Sequence, residues 1–166
     1  MKAVKRVMLI LGVLLLSTPF VSAQETTTST LYEKISTLVD NYKDEDGIKS
    51  VVCDGGMMLK TVKVMLRKEF GKEFVDGIKA FGIIFYGNAQ KVVADAIVGE
   101  VEHITATLQP INIDDRIKPE AKARGFIRLT DDKQTLTDLL IISEKPSPKL
   151  IYFHGSFKPE NIDYKK

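Results

Sequence analysis

The amino-acid sequence predicts an α+β fold in which about three helices pack on one face of a mainly antiparallel sheet. Segments 30–42, 57–70 and 88–108 repeat apolar residues at helical intervals, and short apolar or β-branched segments lie between them, at 48–53 and 80–86. At the C-terminal end, GFIRLT, LTDLLIIS and KLIYFHGSF are separated only by turn sequences, which predicts a three-strand antiparallel meander. This order of helices and strands is typical of the α+β class.

Residues 1–23 have the pattern of a secretory signal peptide. Lys2, Lys5 and Arg6 precede the apolar run VMLILGVLLL, and the small-residue pattern VSA follows. The apolar run is about half as long as the roughly 20 residues that cross a bilayer as a helix. We therefore predict cleavage before Gln24 and an exported chain without an integral membrane span. The periplasm is the favoured destination, and the extracellular space is the alternative.

The sequence after the predicted cleavage site has the size of one domain. Residues 24–29 predict a flexible tether, residues 30–157 a single α+β domain and residues 158–166 a polar tail. Three of the 24 basic residues and none of the 22 acidic ones lie in the signal segment, so the remainder has a net charge of −1. This charge predicts no general affinity for nucleic acids. The single cysteine excludes an internal disulfide.

Local signals set the bounds of the first elements. The sequence Thr30-Leu31-Tyr32-Glu33 has capping-box spacing and predicts a helix that stops before residues 44–47. A strand is predicted at 48–53, and a second helix from 57 to 70 ends at Gly71, followed by a short helical turn to Gly77. The second helix has two predicted faces: Met58, Leu59, Val62, Met65 and Leu66 on the apolar side, and Lys60, Lys63 and Arg67 on the opposite, basic side.

The middle of the chain predicts a central strand and a third helix. The strand AFGIIFY is apolar nearly throughout, as expected of a strand that is covered on both faces or packed under helices. Asn88 is the predicted N-cap of the third helix, and Pro110 is the predicted end of this element. Residues 111–123 are interpreted as a long irregular connection.

Cys53 is the candidate reactive thiol. It stands where a strand ends, just before two glycines and a helix, and a thiol near a helix N-terminus can have a lowered pKa. The neighbouring Asp54 acts in the opposite direction, and no second cysteine is present to resolve an oxidised form. A small buried apolar residue is the commoner role of a free cysteine, and we predict that role for Cys53.

Catalytic and metal-binding signals are weak. His103 and His154 form no metal-spaced cluster with Cys53, and no G-x-S-x-G sequence is present. We therefore predict no metal, no cofactor and no enzymatic activity. His154 shares a strand face with Leu150 and Tyr152 and could meet another group there. The alternative is a thiol-dependent enzyme or redox sensor in which Cys53 acts with one of the two histidines as its base.

Two binding hypotheses come from the second helix. The basic stripe of Lys60, Lys63 and Arg67 is interpreted first as a solvated helix face and second as a surface for an anionic partner or a membrane. Methionine lines adaptable pockets, so Met57, Met58 and Met65 also allow a carrier of a small apolar ligand, although methionine at helical spacing is more often core.

Four features occur in order along the chain: the signal end VSAQ, YEKISTLVDNYKDEDGIKSVV, GGMMLKTVKVMLRKEFGKEFVDGIKAF and TDLLIISEKPSPKLIYFHGSF. In these features the chain resembles a family of small exported bacterial proteins of unknown function that is typical of the Bacteroidetes. The family's activity is uncharacterised, so the resemblance implies no catalytic residue. Related families are associated with envelope stress regulators, which implies a signalling or adaptor role. We therefore predict a non-enzymatic exported domain that binds another envelope protein through an exposed sheet face or the basic helix.

Overall fold

The computed structural model describes residues 30–111, 122–145 and 147–158. The predicted signal peptide, the tether, most of the polar tail and most of the 111–123 connection lie outside these ranges. None of the helices within them combines the length and the apolar character that a bilayer crossing requires.

The described residues form four helices and six strands. The helices are α1 (Leu31–Tyr42), α2 (Gly56–Phe70), α3 (Lys72–Gly77) and α4 (Lys91–Thr105). The strands are β1 (Lys49–Cys53), β2 (Ile78–Phe85), β3 (Gln109–Ile111), β4 (Ala123–Leu129), β5 (Leu136–Ser143) and β6 (Lys149–Phe157).

The strands build one sheet in the order β1-β2-β6-β5-β4-β3, and all five pairings are antiparallel. This arrangement confirms the α+β class, the antiparallel sheet and the C-terminal meander of β4, β5 and β6. Strand β2 lies between β1 and β6, as its apolar sequence predicts for a central strand.

The helices cover both faces of the sheet, whereas the sequence predicted that they would pack on one face. Helices α1 and α4 pack with Ile84, Leu150 and Leu140 in one apolar cluster. Helices α2 and α3 pack with Phe81, Phe153 and Leu139 in a second cluster. Within each strand the two residues are an odd number of positions apart, Ile84 from Phe81, Leu150 from Phe153 and Leu140 from Leu139. They therefore point to opposite faces. The physical reason for the difference is that β2, β5 and β6 are apolar on both sides, so helices on one face would leave the other in water.

The first helix follows its predicted pattern. The Thr30 hydroxyl accepts a hydrogen bond from the Glu33 backbone N–H at 3.2 Å, and the Glu33 carboxylate accepts one from the Thr30 N–H at 2.7 Å. This reciprocal pair is the predicted capping box. The five apolar residues that share the helical spacing are all buried: Leu31, Ile35, Leu38, Val39 and Tyr42. The predicted end before residue 44 is confirmed as well.

Two boundaries of the third predicted helix are wrong. Asn88 lies in a turn closed by a hydrogen bond from the Ala89 N–H to the Tyr86 carbonyl, and the N-cap is Gln90. The backbone turn therefore takes the place where a side-chain cap was expected. The helix ends at Thr105, and Pro110 lies inside β3, paired with Phe126. Strand β3 is at the sheet edge, where a proline nitrogen that faces away from the neighbouring strand removes no hydrogen bond from the sheet.

Gly47 and Gly99 provide a matched test of the backbone. Gly47 has φ of +83°, and an added Cβ would lie 2.1 Å from the Asn88 carbonyl oxygen. Gly99 lies inside α4 with open space around the same position. We expect Gly47→Ala to lower the free energy of unfolding by at least about 2 kcal/mol, because a positive φ and a backbone clash act together. We expect Gly99→Ala to raise it by up to about 1 kcal/mol.

Urea unfolding of the two variants measures both effects. Equal stability of the Gly47→Ala variant and the wild type would contradict the close packing of residues 47 and 88.

Candidate functional site

Cys53 is a buried thiol at the end of β1. Its side chain is 8% exposed and packs in the cluster that contains Leu59 and Val62 of α2. Burial raises the pKa of the Cys53 thiol, and the charge of Asp54 raises it further, while a backbone hydrogen bond from Phe81 acts in the opposite direction. The thiol is therefore protonated at neutral pH, which is the opposite of an activated nucleophile.

Neither histidine lies on the face of the sheet that carries Cys53. Cys53 is opposite Phe81 in β1–β2 pairing, and Phe81 is opposite Phe153 in β2–β6 pairing, so these three residues share one face. His154 is the next residue of β6 and points to the other face. His103 belongs to α4, which packs on that other face. The structure thus separates the thiol from both bases that the enzyme hypothesis requires.

A buried carboxylate is the partner of His154 that the sequence did not identify. Asp138 Oδ1 accepts a hydrogen bond from the Tyr152 hydroxyl at 2.6 Å and lies 3.0 Å from His154 Nδ1. Its Oδ2 accepts a hydrogen bond from the Thr137 hydroxyl at 3.0 Å and lies 4.0 Å from Arg128 Nε. We name these five residues the Asp138 cluster. Asp138 is buried, whereas His154 and Arg128 are about two-fifths exposed.

The Asp138 cluster has part of the geometry of an acid–base dyad. A carboxylate that holds one imidazole nitrogen fixes the ring and leaves the second nitrogen to react. In the described residues, however, His154 makes only the Asp138 hydrogen bond, and no hydroxyl or thiol nucleophile is bonded to it. The contacts instead connect β4, β5 and β6 across the sheet. The sequence signal for this cluster is the single acidic residue inside the apolar strand LTDLLIIS.

The basic stripe is partly used inside the chain. The Arg67 guanidinium lies 3.1 Å from the Asp76 carboxylate, and Lys63 Nζ donates to the Asp76 backbone carbonyl at 3.3 Å. Both contacts hold α3 against α2. Lys60 is exposed, and no described residue pairs with it. The three predicted binding residues therefore divide into two that hold α3 and one that faces water.

Four large apolar side chains of α2 are exposed. Met57 is 81% exposed, Met58 55%, Val64 70% and Met65 64%. We name these four residues the α2 outer face. Met58 and Met65 were expected on the core side, and this expectation is wrong. The buried side of α2 is instead defined by Leu59 and Val62, because α2 packs on a sheet and its opposite side has no second layer of helices in the described residues.

A groove of about 670 Å³ lies between α1 and α4. Glu33, Lys34, Thr37, Gly99, Glu100, His103 and Ile104 line it. Gly99 leaves the groove open, because the space that a side chain at this position would occupy is empty. Glu100 is already bonded to the Tyr42 hydroxyl at 2.7 Å. The groove lies on the sheet face opposite α2, so the three methionines of the apolar-carrier hypothesis do not line it.

Comparisons with known proteins add no assignment to these surfaces. The chain matches no protein-family model, no curated protein and no solved structure. Within the described residues, no group of three or more His, Cys, Asp and Glu side chains is placed to hold a metal ion.

Alkylation of Cys53 measures the state of the thiol directly. We expect iodoacetamide to react with the folded chain at neutral pH at least about 100-fold more slowly than with the chain in denaturant, because the thiol is both buried and protonated. Mass spectrometry against time gives both rates, and the denatured chain is the control for intrinsic reactivity. Fast labelling of the folded chain at pH 6 would restore the reactive-thiol hypothesis.

Two buried tyrosines predict a loss of stability at high pH. Burial and the hydrogen bond to Asp138 raise the pKa of Tyr152, and burial with the Glu100 hydrogen bond raises the pKa of Tyr42. Above the ordinary pKa of about 10, the unfolded chain loses these protons and the folded chain keeps them. The free energy of unfolding should therefore be intact below pH 10 and fall above it by about 1.4 kcal/mol per pH unit for each tyrosine.

Denaturant unfolding of the wild type and the Tyr152→Phe variant at pH 8 to 11 tests this slope. The variant should be less stable at pH 8, because Asp138 loses a donor, but its stability should fall less steeply above pH 10. Equal slopes for the two proteins would contradict the buried Tyr152 hydroxyl.

Proposed function

We propose that the chain is an exported, non-enzymatic binding domain that acts on another envelope protein through the α2 outer face. The observation that carries the proposal is the exposure of four large apolar side chains on one helix. Single exposed apolar residues are common on protein surfaces, but a contiguous apolar group marks an interaction site. Periplasmic adaptor activity in envelope signalling is the specific form of this proposal.

The residues of the α2 outer face suit a protein partner. Three of the four are methionines, whose flexible side chains adapt to different apolar surfaces at small cost in packing. Met57 and Val64 are seven residues apart, as are Met58 and Met65, so the four side chains lie within about 120° of the helix surface, an arc that also contains Thr61 and Lys68. Exposed Lys68 lies within this arc and exposed Lys60 lies beside it, and both favour a partner with acidic residues.

Two sequence features support action in the envelope. The basic, apolar and small-residue regions of residues 1–23 are those of a secretory signal peptide. The resemblance to exported Bacteroidetes-type proteins points in the same direction. The rival hypothesis of a thiol-dependent enzyme receives less support, because Cys53 is buried, has a raised pKa and lies on the opposite sheet face from His154.

Charge placed on the α2 outer face should abolish partner binding. We expect Met57→Glu/Val64→Glu to weaken capture of the envelope partner by at least tenfold, because a carboxylate in an apolar interface costs more than about 1.4 kcal/mol. The chain should stay folded, since both side chains are mostly exposed. The Val92→Glu variant is the matched control, because Val92 is also an exposed apolar residue but lies on α4.

Quantitative capture from envelope extract, with the mature chain immobilised, gives the comparison. Undiminished capture by the double variant, or no specific partner for the wild type, would contradict the proposal.

A further inference from the structure

One row of residues on the α2 side of the sheet is covered less than its neighbours. Strand pairing places Val51, Ile83, Ile151 and Ile141 side by side across β1, β2, β6 and β5. Val51 is 38% exposed, and the three isoleucines are half-buried. We name this row, together with the half-buried Phe85, the upper sheet surface. The next row towards α3, which holds Cys53, Phe81, Phe153 and Leu139, is buried under α2.

The position of this row along the strands does not explain why its side chains are partly exposed. Ile84, Leu150 and Ile142 lie one residue away in the same three strands and point to the opposite face. All three are at most 3% exposed, because α1 and α4 cover them. The upper sheet surface is therefore an apolar area that the described part of the chain leaves without an equivalent helix.

Helix α2 forms a wall along this surface. It crosses the strands above the row of Cys53 and Phe153: Leu59 and Val62 lie in the cluster with Cys53, and the Phe70 ring is 5.4 Å from the Phe153 ring. The flank of α2 with Lys63 and Arg67 contacts α3. At about 100° per residue, Met58 and Met65 lie on the other flank, so this edge of the α2 outer face borders the upper sheet surface.

The upper sheet surface and α2 form the floor and the wall of an apolar groove. The floor spans four strands, and α2 borders it along β1 and β2 and reaches β6 through the contact of Phe70 with Phe153. Residues on one face of a strand are about 6.7 Å apart, and packed helices lie about 8–10 Å apart. A second helix beside α2 would therefore lie above the upper sheet surface and contact Met58 and Met65 with its side. The groove has the dimensions for one helix.

The outer rim of the groove is positively charged. Lys49 and Lys149 occupy the next row of the same face, on either side of Phe85. Lys149 Nζ lies 5.7 Å from the centre of the Phe85 ring. No carboxylate among the described residues forms a salt bridge with either lysine. An occupant with acidic residues along one edge would pair with both of them.

We propose that this groove binds an amphipathic helix of a partner protein, with an apolar stripe on the isoleucines and methionines and acidic residues facing Lys49 and Lys149. This inference rests on the proposed binding function and names the kind of segment that is bound. A second copy of the chain fits less well, because its α2 would bring Lys60 and Lys68 to a rim that is already cationic. The charge of the rim favours an acidic helix.

Site-specific photo-crosslinking in the native host tests the groove and the proposed function separately. The full chain carries p-benzoylphenylalanine at Val51 for the floor of the groove, at Met58 for the edge that the groove shares with the α2 outer face, at Met57 for the rest of that face, or at Val92 as the control. Peptide mass spectrometry identifies the segment joined to each position. We expect Val51 and Met58 to join one amphipathic segment of another envelope protein, with Asp or Glu along one edge, and Val92 to join none.

The other outcomes overturn the groove proposal. Joining of Val51 and Met58 to lipid, to a second copy or to another part of the same chain would show a different occupant. Crosslinking from Met57 alone would exclude the groove and leave the proposed function standing, whereas no crosslink from any of the three positions would remove both.

Charge variants test the recognition of acidic residues. We expect Lys49→Glu/Lys149→Glu to reduce the Val51 crosslink at least tenfold, while Lys49→Arg/Lys149→Arg retains it. Lys49→Glu alone, at an exposed edge position, should give an intermediate yield and guards against loss of folding in the double variant. An unchanged yield of the Val51 crosslink in correctly folded Glu variants would show that the two lysines do not contribute to recognition of the bound segment.

Discussion

The fold depends on the burial of two adjacent residues of β6, Tyr152 and Phe153. Neighbouring residues of a strand point to opposite faces, and both of these side chains are fully buried. The sheet must therefore be covered on both sides at this point. Helices α1 and α4 supply one cover, and α2 with α3 supplies the other, with the Phe74 and Phe70 rings each 5.4 Å from Phe153. The two-sided arrangement follows from this requirement.

The two covers differ in extent, and the difference produces the exposed apolar surfaces for which binding is proposed. Among the described residues, two long helices lie on the first face, whereas the second has one long helix and a helix of six residues. Helices α2 and α3 bury the row of Phe81 and Phe153 and leave Ile83 and Ile151 half-buried. This cover also leaves the outer side of α2 in water. The exposed methionines and the open isoleucines are thus consequences of the same incomplete layer.

Local signals in the sequence predicted much of the local structure, although Asn88 and Pro110 were assigned wrongly. The capping box of Thr30 and Glu33, the end of α2 at Gly71 and the turns of the meander each depend on a few neighbouring residues. The solvent exposure of Met58 and Met65 depends instead on how many layers lie over α2, which helical spacing does not contain. The Asp138 cluster depends on register, because Asp138 meets His154 only when β5 and β6 pair as they do. Local sequence signals do not contain this pairing between residues that are far apart in the chain.

Sheet geometry also keeps Cys53 and His154 apart. Cys53 and His154 are two strands apart, and their faces are fixed by the pairing of β1 with β2 and of β2 with β6. A side-chain rotation cannot bring them together, because the sheet itself lies between them. A register shift by one residue would move one group to the other face but would also expose the residues that the helices bury. The pairing of Cys53 with His154 that the thiol-enzyme hypothesis requires would therefore need a rearrangement of the core.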